Sequence, residues 1–178
     1  MSTQIEQFVK RNDFAALQEV PPSDIASFLA STMGQKESEI PLNIDRLISL
    51  GVTLAKSGHE TVDGPVLQWL GRQPSVRKID IVAAFLSGLW KAPFRQRPVT
   101  GESANAFLEV IRGAKLDDDA TLNCVVALTE AMIPEAPSQV RVKVGAALRE
   151  MARHRFRNPS TARMSQSLID RALQRSGV

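Results

Sequence analysis

Two clusters of side chains and one lone cysteine in this chain have the types that chemistry uses. His59, Glu60 and Asp63 lie between Gly58 and Gly64 and could offer an imidazole and two carboxylates to a divalent ion. A structural zinc site needs more His or Cys than the two histidines and one cysteine present, so the triplet reads better as a polar loop in which Thr61 or Asp63 caps the next helix. Asp117, Asp118 and Asp119 are hard oxygen donors, but three consecutive side chains on a helix cannot converge on one centre. Alternating ligands and a turn glycine, as in a calcium loop, are missing. The run instead suits a helix start, where carboxylates meet the positive end of the dipole. Cys124 sits in an apolar stretch with no neighbouring base, which predicts a buried, unreactive thiol. No G-x-S-x-G turn, phosphate loop or dinucleotide-binding glycine pattern occurs. No catalytic residue, metal or cofactor is therefore expected.

Binding chemistry is better represented. The formal charge is +3, yet its sign alternates along the chain. Residues 1–71 hold five Lys/Arg against nine Asp/Glu, and residues 72–97 six against one. Residues 98–137 then hold two against seven, and residues 138–178 nine against two. The first basic block contains Arg72, Arg77, Lys78, Lys91, Arg95 and Arg97. The second contains Arg141, Lys143, Arg149, Arg153, Arg155, Arg157, Arg163, Arg171 and Arg175, and is tightest at Arg153-His154-Arg155-Phe156-Arg157. Guanidinium groups pair with phosphate or carboxylate oxygens through two hydrogen bonds. Phe156 could stack on a base or complete the apolar face of the preceding helix. Trp69 and Trp90 each end an apolar segment, where an indole fills a gap between helices or anchors a partner. Trp90 is the better anchor because it adjoins Lys91, Pro93 and Phe94.

These residues need helices to position them. The 178 residues are enough for one substantial core without a staple. A single cysteine excludes an intramolecular disulfide, which points to a cytoplasmic or other reducing intracellular compartment. The first ten residues lack the apolar run of a signal peptide. Asp80, Ser87 and Gly88 interrupt the longest apolar segment, Ile79 to Trp90, so no membrane span is expected.

Apolar residues recur at helical spacing nearly throughout. The pattern predicts helices from Ser2 or Thr3 toward Lys10 and, after an Asn12 or Asp13 cap, through Phe14, Leu17 and Val20. It predicts others through Ile25, Phe28, Leu29 and Met33, from Leu42 to Lys56, and from Val62 to Gly71. Beyond these come Pro74-Ser75 to Trp90, Ser103–Lys115, a helix after Asp117–Asp119, one from Ser138 to Met151, and Ser160–Arg175. Pro93 and Pro98 constrain the loop 91–100, which could join two subdomains of an otherwise single helical domain.

Val140-Arg141 followed by Val144, Ala147, Leu148 and Met151 resembles the second helix of a HEAT-like repeat, and so does Val76-Arg77 followed by Val82, Ala83, Leu86 and Leu89. That resemblance implies paired helices stacked into a curved scaffold with one broad surface for a partner. The chain as a whole reads as an all-α, compact, irregular multi-helix bundle, with a HEAT-like array as the alternative. Its expected function is noncovalent protein binding, as an adaptor, scaffold or regulatory protein. The alternative is a nucleic-acid-binding protein contacting DNA or RNA phosphates through the basic C-terminal region. The expected partner-binding residues are Trp90, Arg95, Arg97, Arg149, Arg153, Arg155, Phe156 and Arg157.

Overall fold

The computed structural model describes residues 2–11, 13–21, 24 and 44–178. The helix expected through Ile25, Phe28, Leu29 and Met33 lies outside the described residues. All regular structure described is helical: α1 (Ser2–Arg11), α2 (Phe14–Gln18), α3 (Ile44–Lys56), a 3₁₀ turn (Glu60–Val62), α4 (Asp63–Arg72), α5 (Val76–Leu89), α6 (Gly101–Ile111), α7 (Asp118–Ala131), α8 (Ser138–Met151) and α9 (Pro159–Ser176).

Side-chain caps set most helix starts. Asp13 accepts from the Ala16 amide, Ser75 from Lys78, Thr100 from Ser103, Asp117 from Ala120 and Asn158 from Ser160. The Thr100 cap starts α6 two residues before the expected Ser103. Its other end falls short of Lys115, because Arg112 is extended and Gly113 takes a positive φ of 77°. Pro159 occupies the first turn of α9, where its missing N–H costs nothing, and Gly177 closes that helix at a φ of 65°.

The helices form two rows. α3, α5, α7 and α9 pack side by side in chain order, and so do α4, α6 and α8, while α1 and α2 lie against α3. α5 is the centre. It is apolar around nearly its whole circumference, and every residue from Ile79 to Leu89 is buried between α3 and α7. The α3–α5 crossing depends on two glycines. A Cβ at Gly51 would strike the Phe85 carbonyl oxygen, and one at Gly88 would strike the Ile48 carbonyl oxygen. Backbone-to-backbone approach this close excludes any other side chain at either position. A continuous cluster of buried apolar residues draws on every helix, from Ile5 in α1 to Ile169 and Ala172 in α9.

The two segments resembling HEAT-like helices are α5 and α8. They stand three helices apart in opposite rows, so they are not successive copies of one repeat position.

Candidate functional site

The sequence-level clusters separate once the chain folds. His59 is buried, with Nε2 2.6 Å from the Leu17 carbonyl oxygen, and ties the start of α4 to α2. Glu60 turns instead to the loop 91–100, where its carboxylate accepts from the backbone amides of Gln96 and Arg97. Asp63 points into the core and accepts from Trp90 Nε1 at 3.1 Å. Burial raises its carboxyl above the ordinary carboxylate range, although hydrogen bonds from Ser103 and Trp90 pull it back. Each member of the triplet thus has its own structural partner. Burial also pushes the Cys124 thiol well up, away from reactivity. Among the described residues, no group of three or more His, Cys, Asp or Glu could hold a metal ion. No described helix is long and apolar enough to cross a membrane.

Trp90 corrects an expectation. Only 2% of it is exposed, its ring meets Phe107 edge-on at 5.8 Å, and its N–H is given to Asp63. Indole in this setting is core, with no face to offer a partner.

Three cations of the first basic block, Arg77, Lys78 and Arg95, are likewise held by contacts within the fold, while Arg72 and Lys91 are exposed. Arg77 pairs with the buried Asp80 at 3.0 Å. Lys78 donates to Gln73 and lies over the Trp69 ring. Arg95 is half-buried and donates to the Trp90 carbonyl at 2.7 Å, which closes the turn after α5; desolvation holds its pKa below the ordinary arginine value. Arg95 is therefore a strap across the loop. Arg97 has an exposed side chain on that same loop, which Glu60 fixes through its backbone.

The second block differs. Arg149, Arg153, Arg155, Arg157 and Arg163 are all exposed, and none forms an ion pair with a described carboxylate. They lie on the last turn of α8, the connection after it and the first turns of α9. Asp118, at the start of α7, fixes this corner. One of its oxygens lies 3.2 Å from His154 Nε2, and the other accepts from the amides of Arg157 and Asn158 at 2.8 and 2.9 Å. The Asn158 amide, with help from His154 and Arg157, holds the Asp118 carboxyl below the ordinary carboxylate range. Phe156 is partly buried and edge-on to His154, with ring centres 4.5 Å apart. Its ring is part of the corner's packing.

Beside the corner lies a feature without a sequence signal. A groove of about 750 Å³ runs between α6 and α8, which neighbour each other in the second row. Leu108, Ile111, Ala114, Leu116, Ala147 and Met151 supply its apolar surface. Charged side chains stand along its edges: Glu109 and Arg112, paired at 2.9 Å, on the α6 side, and Lys143, Glu150 and Arg153 on the α8 side. His154 lines it where the corner begins. Partial exposure of apolar residues on both helices makes the groove, and helical spacing alone does not reveal which apolar positions a neighbour leaves uncovered. Of the residues expected to bind a partner, only Arg153 lines it.

Comparison of the chain with protein-family models, with curated proteins and with solved structures finds no match.

Proposed function

We propose that the chain is a noncovalent protein-binding protein, of the adaptor, scaffold or regulatory kind, that seats a segment of its partner in the groove between α6 and α8. The carrying observation is the groove itself: an open trough about 750 Å³ in volume, with an apolar strip and an equally large polar share, edged by charges of both signs. An interface with an apolar centre and a polar rim has this composition. The inward positions of His59, Asp63 and Cys124 add support: the first two hold structural hydrogen bonds and the thiol is buried.

Ala147→Glu places a carboxylate in the apolar surface of the groove, at a half-buried position able to carry it without entering the core. Affinity capture from the source cells should recover a stoichiometric protein with the parent chain and lose it with this variant. Circular dichroism should show equal helix content for both. Equal recovery by parent and variant would overturn the groove assignment. Turnover by the purified chain, abolished by changes at a few clustered residues, would replace binding with catalysis.

A further inference from the structure

We infer that the α8–α9 corner, which adjoins the groove at Arg153 and His154, is a second binding surface, one that takes the phosphate backbone of a nucleic acid without reading its bases. The inference rests on which charges the fold leaves unused. From Arg149 to Arg163 there are five arginines and a single acidic residue, Glu150. All five arginines are exposed and none is neutralised by a described carboxylate. Asp118, the one carboxylate that reaches into the corner, spends its oxygens on His154 and on two backbone amides rather than on any guanidinium. It therefore fixes the path of the chain while leaving the positive side chains free. Arg149 stands on the last turn of α8, and Arg153 follows in the turn that ends it.

The chemistry of the surface narrows the partner. Arginine's planar fork takes two oxygens of one phosphate, and several such forks on a fixed turn suit a polymer with regularly spaced phosphates. An interface with a protein would want an apolar centre, and a membrane surface would want apolar side chains to insert. Among the described residues of the corner, the exposed large apolar residue is Met164, while Phe156 is partly buried against His154. That orientation also removes the ring that could have stacked on a base, so contact is with phosphates alone.

The test uses the full chain with fluorescent 20-nucleotide DNA duplexes of two unrelated sequences and a single-stranded RNA, titrated over a series of salt concentrations. Binding should weaken steeply with salt and be nearly equal for the two duplexes. Replacing Arg153, Arg155 and Arg157 together with Gln should lower duplex affinity more than about tenfold and reduce the log–log salt slope by about 2 to 3. A matched triple, Arg72→Gln, Lys91→Gln and Arg97→Gln, removes the same charge elsewhere and should change the slope by less than about 1. Should the first triple lose helix content, the pair Arg149→Gln and Arg163→Gln, on helices flanking the turn, tests the same surface and should reduce the slope by about 2. No binding to either polymer at low salt would overturn the inference. So would equal losses from the corner and matched triples, a corner variant that binds like the parent, or tighter binding to polyglutamate or to anionic lipid vesicles than to the duplex.

Discussion

Residues 72–97 and 138–178 look alike as strings of charge, and the fold treats them oppositely. In the first block three of the six cations serve the molecule. Arg77 compensates the buried Asp80, Lys78 covers Trp69, and Arg95 closes the turn after α5. In the second block Arg141 donates to the Ser176 carbonyl, but the anchor of the corner is a carboxylate, Asp118, that grips backbone and a histidine. The five arginines from Arg149 to Arg163 are left in water. The difference follows from position. α5 runs through the middle of the molecule, so charges at its ends are driven to pair with buried groups. The connection between α8 and α9 is largely exposed and is held to the start of α7 through Asp118. A basic run thus becomes a candidate binding surface through what surrounds it, and its charge count alone does not decide.

Where the first block is buried or held by internal contacts, substitutions should be costly, beginning with Trp90. Trp90→Ala removes the largest fully buried side chain and leaves Asp63 buried without its indole partner. The expected loss is about 3–5 kcal/mol by urea denaturation, with more if the site cannot collapse. Trp90→Phe keeps most of the packing and should cost about 1–3 kcal/mol, chiefly for the indole hydrogen bond that the buried Asp63 carboxyl loses. A loss below about 1 kcal/mol for the alanine variant would mean the ring is less tightly engaged than its 2% exposure indicates.

Gly88→Ala, in the same helix, adds one methyl group against the Ile48 carbonyl, where backbone must yield rather than side chain. It should destabilise by about 1–3 kcal/mol or more, despite alanine's better helix propensity. Gly113→Ala, at a surface φ of 77° with open space around a Cβ, tests strain without crowding and should cost about 1 kcal/mol.

A pH effect should follow from the carboxylates that the core holds around this block. Asp63, Asp80 and Glu130 are all raised by desolvation, which outweighs their hydrogen bonds and nearby cations. A raised acid binds its proton more readily folded than unfolded. Its favourable contribution is complete below the unfolded values of 3.8 for aspartate and 4.5 for glutamate, and is lost as pH rises through the higher folded value. Asp118 has the opposite sign: its contribution is present above 3.8 and is lost as pH falls through its lowered folded value. These buried groups should therefore add stability as pH falls from neutral toward about 4.5, before Asp118 begins to subtract it. Asp63→Asn retains an oxygen for Trp90 Nε1 and should flatten that rise, as read from denaturation midpoints at several pH values. An unchanged slope would place the effect on Asp80 and Glu130.

The sequence made the helices legible and the surfaces much less so. Capping residues such as Asp13, Ser75 and Asp117 lie beside the turns they stabilise, so their work is local and readable. The apolar circumference of α5 was visible as the run from Ile79 to Trp90. Whether Trp90 faced core or solvent depended on Asp63, 27 residues away, and on Phe107 in another helix. Asp118 was read only as part of a helix start, since its partners lie 36 to 40 residues further along the chain. The groove was invisible for a related reason: it is defined by where α6 and α8 fail to cover each other.

The smallest expected effect is the sharpest test of the second block. Asp118→Ala removes the oxygens that receive the Arg157 and Asn158 amides and the His154 ring, but no arginine. If Asp118 only organises the corner, hydrogen exchange at those two amides should accelerate while the buried amides of α5 keep their protection. Duplex affinity should fall slightly, because the arginines must now be ordered on binding. The removed negative charge acts the other way and would by itself strengthen binding. Asp118→Asn separates the two terms, since it removes the charge and keeps one oxygen for the amides. Affinity should then rank with asparagine at or above the parent and alanine below asparagine. An alanine variant that binds as tightly as the asparagine variant, with faster exchange at Arg157 and Asn158, would show that a preset corner contributes nothing and that charge alone holds the polymer.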